Sequence, residues 1–405
     1  MAEILFLAHR IPFPPDRGDK IRSWHVLRHL AERARVHLAC FADDEGDAAN
    51  LEGLRAALGA GLGDVHVEPR RVGKVAAAAK ALRTGQPLSL TLFDSPAMRR
   101  FVHDKLAAGS PVDAVYAFSG QMAQFVPEPL RQLFVMDFVD MDSEKFAAYA
   151  AGGGLMRNVH AREAKRLFAF ERAVAARADV SLFVSEAEAA LFRRRTGIAN
   201  VRALANGIDS GFFDPDANFP ALDPVKRGET PILLFTGQMD YRPNVEAVSW
   251  FAAEILPLIP SAHFVIAGRN PAPEVTALAG ARVTVTGAVD DMRTWLAAAA
   301  VVVAPLRIAR GIQNKVLEAM AMARAVVASP AAFEGIEAEP GRHLVVEEGA
   351  DAMAAAIREL LADPANASRI GGAARDLVAR SYRWEVRLAP LSEMLGLTPP
   401  ARAAA

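Results

Sequence analysis

Among the 405 residues there is one cysteine, Cys40. That excludes an intramolecular disulfide and any cysteine-built metal site, and a reducing compartment is the natural setting. Charge of one sign is not in excess either. With 46 basic and 47 acidic residues the formal net charge is −1, which argues against a global field built to hold nucleic acid or to coat an anionic membrane. Long hydrophobic runs are missing: the longest, Trp295 to Leu306, covers about 12 residues and contains Pro305, short of the roughly 18 that would span a bilayer. No secretory leader is expected, because Glu3 stands where positive charge is needed and the apolar run after it is shorter than a signal core. The expected location is the cytoplasm. Lysine is also scarce, eight of the 46 basic residues, so a single arginine carries little weight and a well-placed lysine more.

What is present is core. Hydrophobic residues make up 52% against 23% charged, too apolar for disorder. At roughly 150 residues per domain the length predicts two or three domains. Short apolar runs alternate with stretches of helical spacing, the signature of βα units that close parallel sheets. In the first half strands are expected at Glu3 to Ala8, Val36 to Phe41, Val112 to Phe118, Leu133 to Asp137 and Val180 to Ser185, with Val65 to Glu68 a weaker candidate. Helices are expected at Lys20 to Arg33, where Ile21, Trp24, Leu27 and Leu30 recur at three- or four-residue steps, and at Leu155 to Arg177. From Asp209 to Pro231 the periodicity stops and Asp, Pro and Gly crowd together, which reads as a linker. A second series follows: Ile232 to Gly237, His263 to Gly268, Val283 to Gly287, Val301 to Pro305, Ala325 to Ser329 and His343 to Val346. The expected architecture is α/β, two Rossmann-like domains whose parallel sheets turn their carboxyl strand ends toward a shared cleft.

The richest segment is Val301 to Glu337. A buried strand ends at Pro305, a loop with Arg307, Arg310 and Gly311 follows, and a helix then carries Lys315 and Glu318. Glycine permits close backbone approach and a helix start favours an anion, so a phosphate suits this loop. Lys315 and Glu318 stand three residues apart on one helix face, which fits an ordinary exposed salt pair equally well.

This segment, with Ala205-Asn206-Gly207-Ile208-Asp209, Thr236-Gly237-Gln238-Met239, Ile266-Ala267-Gly268 and Val184-Ser185-Glu186, resembles the retaining glycosyltransferases of family 4, which have the GT-B fold. AHRIPFPPDRGDKIR near the start, DFVDMDSEKF and PLRIARGIQNKVLEAMAM most resemble the sugar transferases of PEP-CTERM/exosortase exopolysaccharide systems. The resemblance implies an acceptor-binding domain over residues 1–208, a linker over 209–231, a nucleotide-sugar-binding domain over 232–382, a helix over 383–398 that packs back on the first domain, and a frayed tail over 399–405. It implies a nucleotide-diphosphate sugar as donor, a lipid-linked or glycan acceptor, no nucleic acid and no metal or other cofactor.

By position, the resemblance places Glu318 on the donor ribose, where an ionised carboxylate can accept from two vicinal hydroxyls. It places Gly237 and Gly311 beside the donor. Eight positions before Glu318 the family often has another Glu touching the sugar, and here Arg310 stands instead. Arg310 fits a clamp on the diphosphate, a contact to an acidic sugar or a solvent-facing position, ranked in that order. Where relatives have Arg and Lys after the first strand of the second domain, this chain has Gln238 and Pro243, so Arg242, Arg307, Arg310 and Lys315 are the cations left to hold two phosphates.

In the first domain the resemblance puts Gly18 in a loop near the donor phosphates, with a plain turn glycine as the other reading. Asp137, Asp140 and Asp142 follow a strand, so at least one should point into the cleft, and Asp140 and Asp142 are the catalytic candidates there. Relatives have a histidine before an aspartate at this place, where this chain has Val139. The clustered acids suit a hard cation in principle, but this fold class uses basic residues and helix ends instead. Ser119 and Ser185 read as helix caps or substrate contacts, and His9 and His160 as structural histidines. The stretch Arg70 to Arg83, with five basic residues around an alanine-rich middle, reads as a solvated helix face first and as a peripheral contact with an anionic inner membrane second.

Three other functions compete for such a chain. A nicotinamide-dependent oxidoreductase needs Gly-x-Gly-x-x-Gly at a strand-to-helix turn, and no expected strand is followed by it. A sugar-nucleotide epimerase of similar fold would give product without acceptor. A binding or assembly subunit that has lost catalysis is motivated by Arg310 and by the missing histidine.

Overall fold

The apolar runs form two all-parallel sheets in the computed structural model, which describes residues 1–15, 18–43, 45–152, 154, 156–222, 230–309 and 312–397. The first contains β1 (Glu3–Ala8), β2 (Arg35–Ala42), β3 (Leu62–Pro69), β4 (Ala114–Phe118), β5 (Leu133–Val139), β6 (Val180–Phe183) and β7 (Val201–Ala203), in the order β3-β2-β1-β4-β5-β6-β7. The second contains β8 (Ile232–Thr236), β9 (His263–Ala267), β10 (Val283–Gly287), β11 (Val301–Ala304), β12 (Val326–Ala328) and β13 (Val345–Val346), in the order β10-β9-β8-β11-β12-β13. Central strands such as β1, β4, β8 and β11 are buried almost throughout, because helices cover both faces of a parallel sheet. In each sheet the strand order reverses beside the first strand, between β1 and β4 and between β8 and β11. Loops diverge at such a point and leave a crevice at the carboxyl ends.

The weaker candidate Val65 to Glu68 is the middle of a full edge strand that pairs with β2 from Val36 opposite Leu62 to Ala42 opposite Pro69. Its half-buried pattern is why the apolar run is broken by His66 and Glu68. β7 is a strand the apolar pattern did not announce; three residues are too few to show a period. The helices expected at Lys20 to Arg33 and Leu155 to Arg177 occupy Gly18–Ala31 and Arg157–Arg177.

The chain divides into two compact units, Met1–Asn206 with the chain from Leu388 onward, and Gly207–Arg387. In the second, the segment read as a linker is packed as far as Leu222. Phe213, Phe219 and Leu222 lie on the core, Arg293 stacks 4.1 Å over the Phe212 ring, and Arg375 pairs with Asp214 at 2.7 Å. Its Pro and Asp content removes regular secondary structure, not packing. Residues 223–229 and the tail 399–405 lie outside the described residues. The last described helix is Trp384–Met394, and Ser392 Oγ lies 2.8 Å from His29 Nε2 in a hydrogen bond within the first unit.

Candidate functional site

In the second unit the site begins with glycines at strand ends. Gly237 follows β8 with φ +153°, and a Cβ there would stand 2.8 Å from Asn244 Nδ2 and 3.1 Å from Lys315 Nζ. Gly268 follows β9 so closely that its Cβ would fall 1.6 Å from the Gly237 carbonyl oxygen. The backbone of two adjacent strand ends is thus drawn together, on the β8 side of the crevice.

Lys315 lies in the first turn of the helix Asn314–Ala321, which follows β11 on the other side of that crevice. Its Nζ donates to Asn244 Oδ1 at 2.6 Å and sits 4.2 Å over the Phe235 ring, while Asn244 Nδ2 donates to the Gln238 carbonyl at 2.9 Å. Asn244 is thereby fixed with its oxygen toward the lysine. Burial lowers the Lys315 pKa from 10.5 to about 7, partly offset by the Glu318 charge. Burial raises Glu318 from 4.5 to about 7, partly offset by Lys315. Among the described residues no ion pair within 4 Å joins the two, so the exposed salt pair is not what forms. A half-buried cation and a half-buried acid, each held away from its ordinary ionisation, are suited to a ligand that brings an anion to one and hydroxyl donors to the other.

The other cations are placed differently. Arg242 opens the helix Arg242–Trp250 in solvent, 2.7 Å from Glu246. Arg307 is exposed after β11 with its guanidinium 5.9 Å from the Trp250 ring centroid. Arg310 and Gly311 lie outside the described residues. Of the expected donor-binding residues, the structure therefore brings Gly237, Lys315 and Glu318 together.

In the first unit the carboxyl ends of β4 and β5 are strained. Ser119 has φ +74° and Val139 φ +69°, left-handed values that are costly for a β-branched residue. Asp137, read as a possible cleft residue, is instead fully buried and holds this turn from below. Its Oδ1 accepts from Val139 N at 3.1 Å, and its Oδ2 accepts from Arg22 Nε at 3.0 Å and Tyr116 OH at 2.6 Å. Arg22, also buried, donates in addition to the Leu204 carbonyl at 2.8 Å and Asn206 Oδ1 at 2.9 Å. Asp140, next on the turn, is solvent-accessible as a residue while its carboxyl is crowded by protein, and the carboxyl is raised by desolvation and then by the Asp142 charge. Asp142 opens the helix Asp142–Ala151 and accepts from Gln121 Nε2 at 3.4 Å. Desolvation raises it, while Lys145 and then His9 oppose the rise. The helix start is capped from outside: Glu171 accepts from Ser143 N at 3.0 Å and Ser143 OH at 2.5 Å.

Ser185 caps its helix through Glu188 N at 3.3 Å, whereas Ser119 makes no cap and its hydroxyl bonds Gln121. Gly18 opens the helix Gly18–Ala31 with no heavy atom within 4 Å of a built Cβ, so space does not demand glycine there. His9, read as structural, stacks on Phe118 at 5.9 Å and faces Asp142 electrostatically. Among the described residues no three His, Cys, Asp or Glu side chains converge as metal ligands. Arg22, Tyr116 and Asn244 were not anticipated. Pro243, in the opening turn of the helix Arg242–Trp250, was the one signal that Asn244 lies at a helix start.

Residues 230–363 match the family model of the glycosyl transferases group 1. Solved structures extend the likeness over the whole chain. Sucrose-phosphate synthase from Thermosynechococcus elongatus is 20% identical with a TM-score of 0.66, the match covering 97% of this chain and 98% of that one. HepE of Anabaena, solved in complex with UDP, is 16% identical with a TM-score of 0.67 over 97% of this chain and 99% of its own. WaaG, a glycosyltransferase involved in lipopolysaccharide biosynthesis, is 15% identical with a TM-score of 0.66 over 97% and 100%. At these identities the likeness is one of fold, and the two-sheet α/β GT-B architecture expected from the sequence is the one observed. No curated protein sequence matches the chain.

Proposed function

We propose that the chain is a retaining glycosyltransferase that moves a sugar from a nucleotide-diphosphate donor to an acceptor hydroxyl, in the assembly of exopolysaccharide or another cell-surface glycan at the cytoplasmic side. The observation that carries this reading is the half-buried pair Lys315 and Glu318 beside Gly237, within the segment matched by the group 1 family model. The complexes of HepE with UDP and UDP-glucose support a nucleotide as the ligand.

In this reading the donor diphosphate lies against Gly237 and Lys315, and Glu318 accepts from the ribose hydroxyls. Arg310 and Gly311 are assigned further phosphate contacts, and Arg307 and Arg242 supply positive charge at longer range. As the glycosidic bond to the diphosphate breaks and the bond to the acceptor oxygen forms on the same face, the departing diphosphate takes the acceptor proton. The protein then needs no strong base, and its chief contribution is to stabilise negative charge on the leaving group. Basic side chains supply that charge without a metal. Asp140 and Asp142, on the turn held by Asp137, orient the lipid-linked or glycan acceptor.

A thermal-shift screen of nucleotide diphosphates and their sugars, repeated with Glu318→Ala and Arg310→Glu, tests this. Glu318→Ala is expected to weaken every nucleotide ligand by about tenfold or more, the worth of a charged hydrogen bond. Arg310→Glu should change mainly diphosphate and sugar recognition. Unchanged shifts in both variants would remove the site. Nucleotide sugars that bind but are neither transferred nor hydrolysed would favour a binding subunit over an enzyme.

A further inference from the structure

One helix of the first unit packs with its small residues and exposes its large ones. In Lys74–Thr84 the buried residues are Ala77 and Ala81, while Val75 and Leu82 are 85% and 73% exposed. Val75, Ala79 and Leu82 stand at i, i+4 and i+7, one stripe opposite the alanines, and Lys74 and Arg83 flank it on its two sides. Burying alanine while exposing valine and leucine forgoes the usual gain from removing apolar area from water. The arrangement gains free energy only when something covers the stripe.

The helix Arg157–Arg177 meets the first at its C-terminal end, where Arg162 donates to the Ala81 carbonyl at 2.8 Å and to Gln86 O at 3.4 Å. Met156 and Val159 at its start are 53% and 45% exposed. Charge is one-sided here. From Arg70 to Phe93 the sequence has no acidic residue, and from Lys145 to Arg172 its only acids, Glu163 and Glu171, are buried in hydrogen bonds to backbone N–H groups of Leu88, Ser89 and Ser143. Lys80 and Arg70 are engaged by Asp94 and Asp43, but Lys74, Arg83 and Arg157 belong to the exposed face.

We infer that this two-helix face docks on an anionic lipid bilayer. The apolar stripe enters the boundary between headgroups and acyl chains, and the flanking cations stay at the lipid phosphates. A bilayer is favoured over an acidic protein because the apolar side chains project singly, and a fluid surface accommodates projections without a matching hollow for each. Among the described residues no helix is long and apolar enough to cross a membrane, so the contact is peripheral. The inference concerns the first unit alone and does not rest on sugar transfer.

Co-sedimentation of the full chain with vesicles tests it, using phosphatidylcholine alone against phosphatidylcholine with roughly one-third phosphatidylglycerol. The chain should partition about tenfold more strongly to the anionic vesicles and lose that preference in concentrated salt. Val75→Glu combined with Leu82→Glu, and separately Lys74→Glu combined with Arg83→Glu, should each abolish the preference while leaving the thermal midpoint and the UDP-induced shift unchanged. Equal partition to both vesicle types overturns the inference, as does a preference that survives both pairs of substitutions. Binding to polyglutamate without vesicle binding, or a dimer dispersed by Leu82→Glu without vesicle binding, also overturns it, in favour of an acidic protein or a second copy.

Discussion

Lys315 and Glu318 illustrate what a side chain's surroundings add to its spacing. Three residues apart on a helix they read equally as a surface pair, and only the walls around them, Phe235 below the lysine and Asn244 beside it, separate the alternatives. Both groups are held near neutrality by burial, the lysine from above and the acid from below. An arriving diphosphate favours the charged lysine, so above about pH 7 binding must take up a proton. UDP affinity should therefore fall as pH rises from about 7 toward 9, by up to about tenfold per unit. Calorimetry in buffers of different ionisation enthalpy reads the proton directly. Lys315→Arg, which stays charged, should abolish the alkaline loss; a wild-type affinity flat across that range would show that the lysine does not meet the phosphates. Glu318 was legible through the family resemblance. Asn244 was not, because its role depends on a partner 71 residues away in sequence.

At the level of elements, strands buried on both faces write themselves as continuous apolar runs, which is why β1, β4, β8 and β11 were legible. The half-buried edge strand β3 was less so, and β7 was not. Strained turns were invisible, since serine and valine are not residues that advertise a positive φ. The network beneath them gives a sharp stability prediction. Arg22 and Asp137 form an ion pair at 3.0 Å with both side chains essentially inaccessible. Arg22→Met leaves a carboxylate buried without its partner and should cost about 3 to 5 kcal/mol in urea unfolding. The double variant Arg22→Met with Asp137→Leu should recover part of that loss, whereas a single variant as stable as wild type would mean the pair is not buried as described. In the second sheet, Gly268→Ala has no space, because its Cβ would fall 1.6 Å from the Gly237 oxygen. It should lower stability by about 3 kcal/mol or more and weaken UDP binding together, since the backbone that shifts is that of Gly237. Loss of stability with intact nucleotide binding would separate Gly237 from the site.

For the whole molecule, the alternation of strand and helix periods carried the architecture of two parallel sheets. Composition alone could not show that the Pro- and Asp-rich segment is packed: Phe213, Phe219 and Leu222 dock on the second core although the segment has no period. The donor site was legible only in part for a related reason, since Arg242, the cation adjoining the place where relatives carry lysine, turns to solvent and Glu246. In the proposed function the second unit holds a nucleotide diphosphate between the β8 end and the helix that follows β11. A crystal structure of the chain soaked with UDP measures this most directly. The diphosphate is expected against Gly237 and Lys315, with ribose hydroxyls within about 3.2 Å of the Glu318 carboxylate. UDP bound elsewhere, or seated there with its ribose out of reach of Glu318, would contradict it.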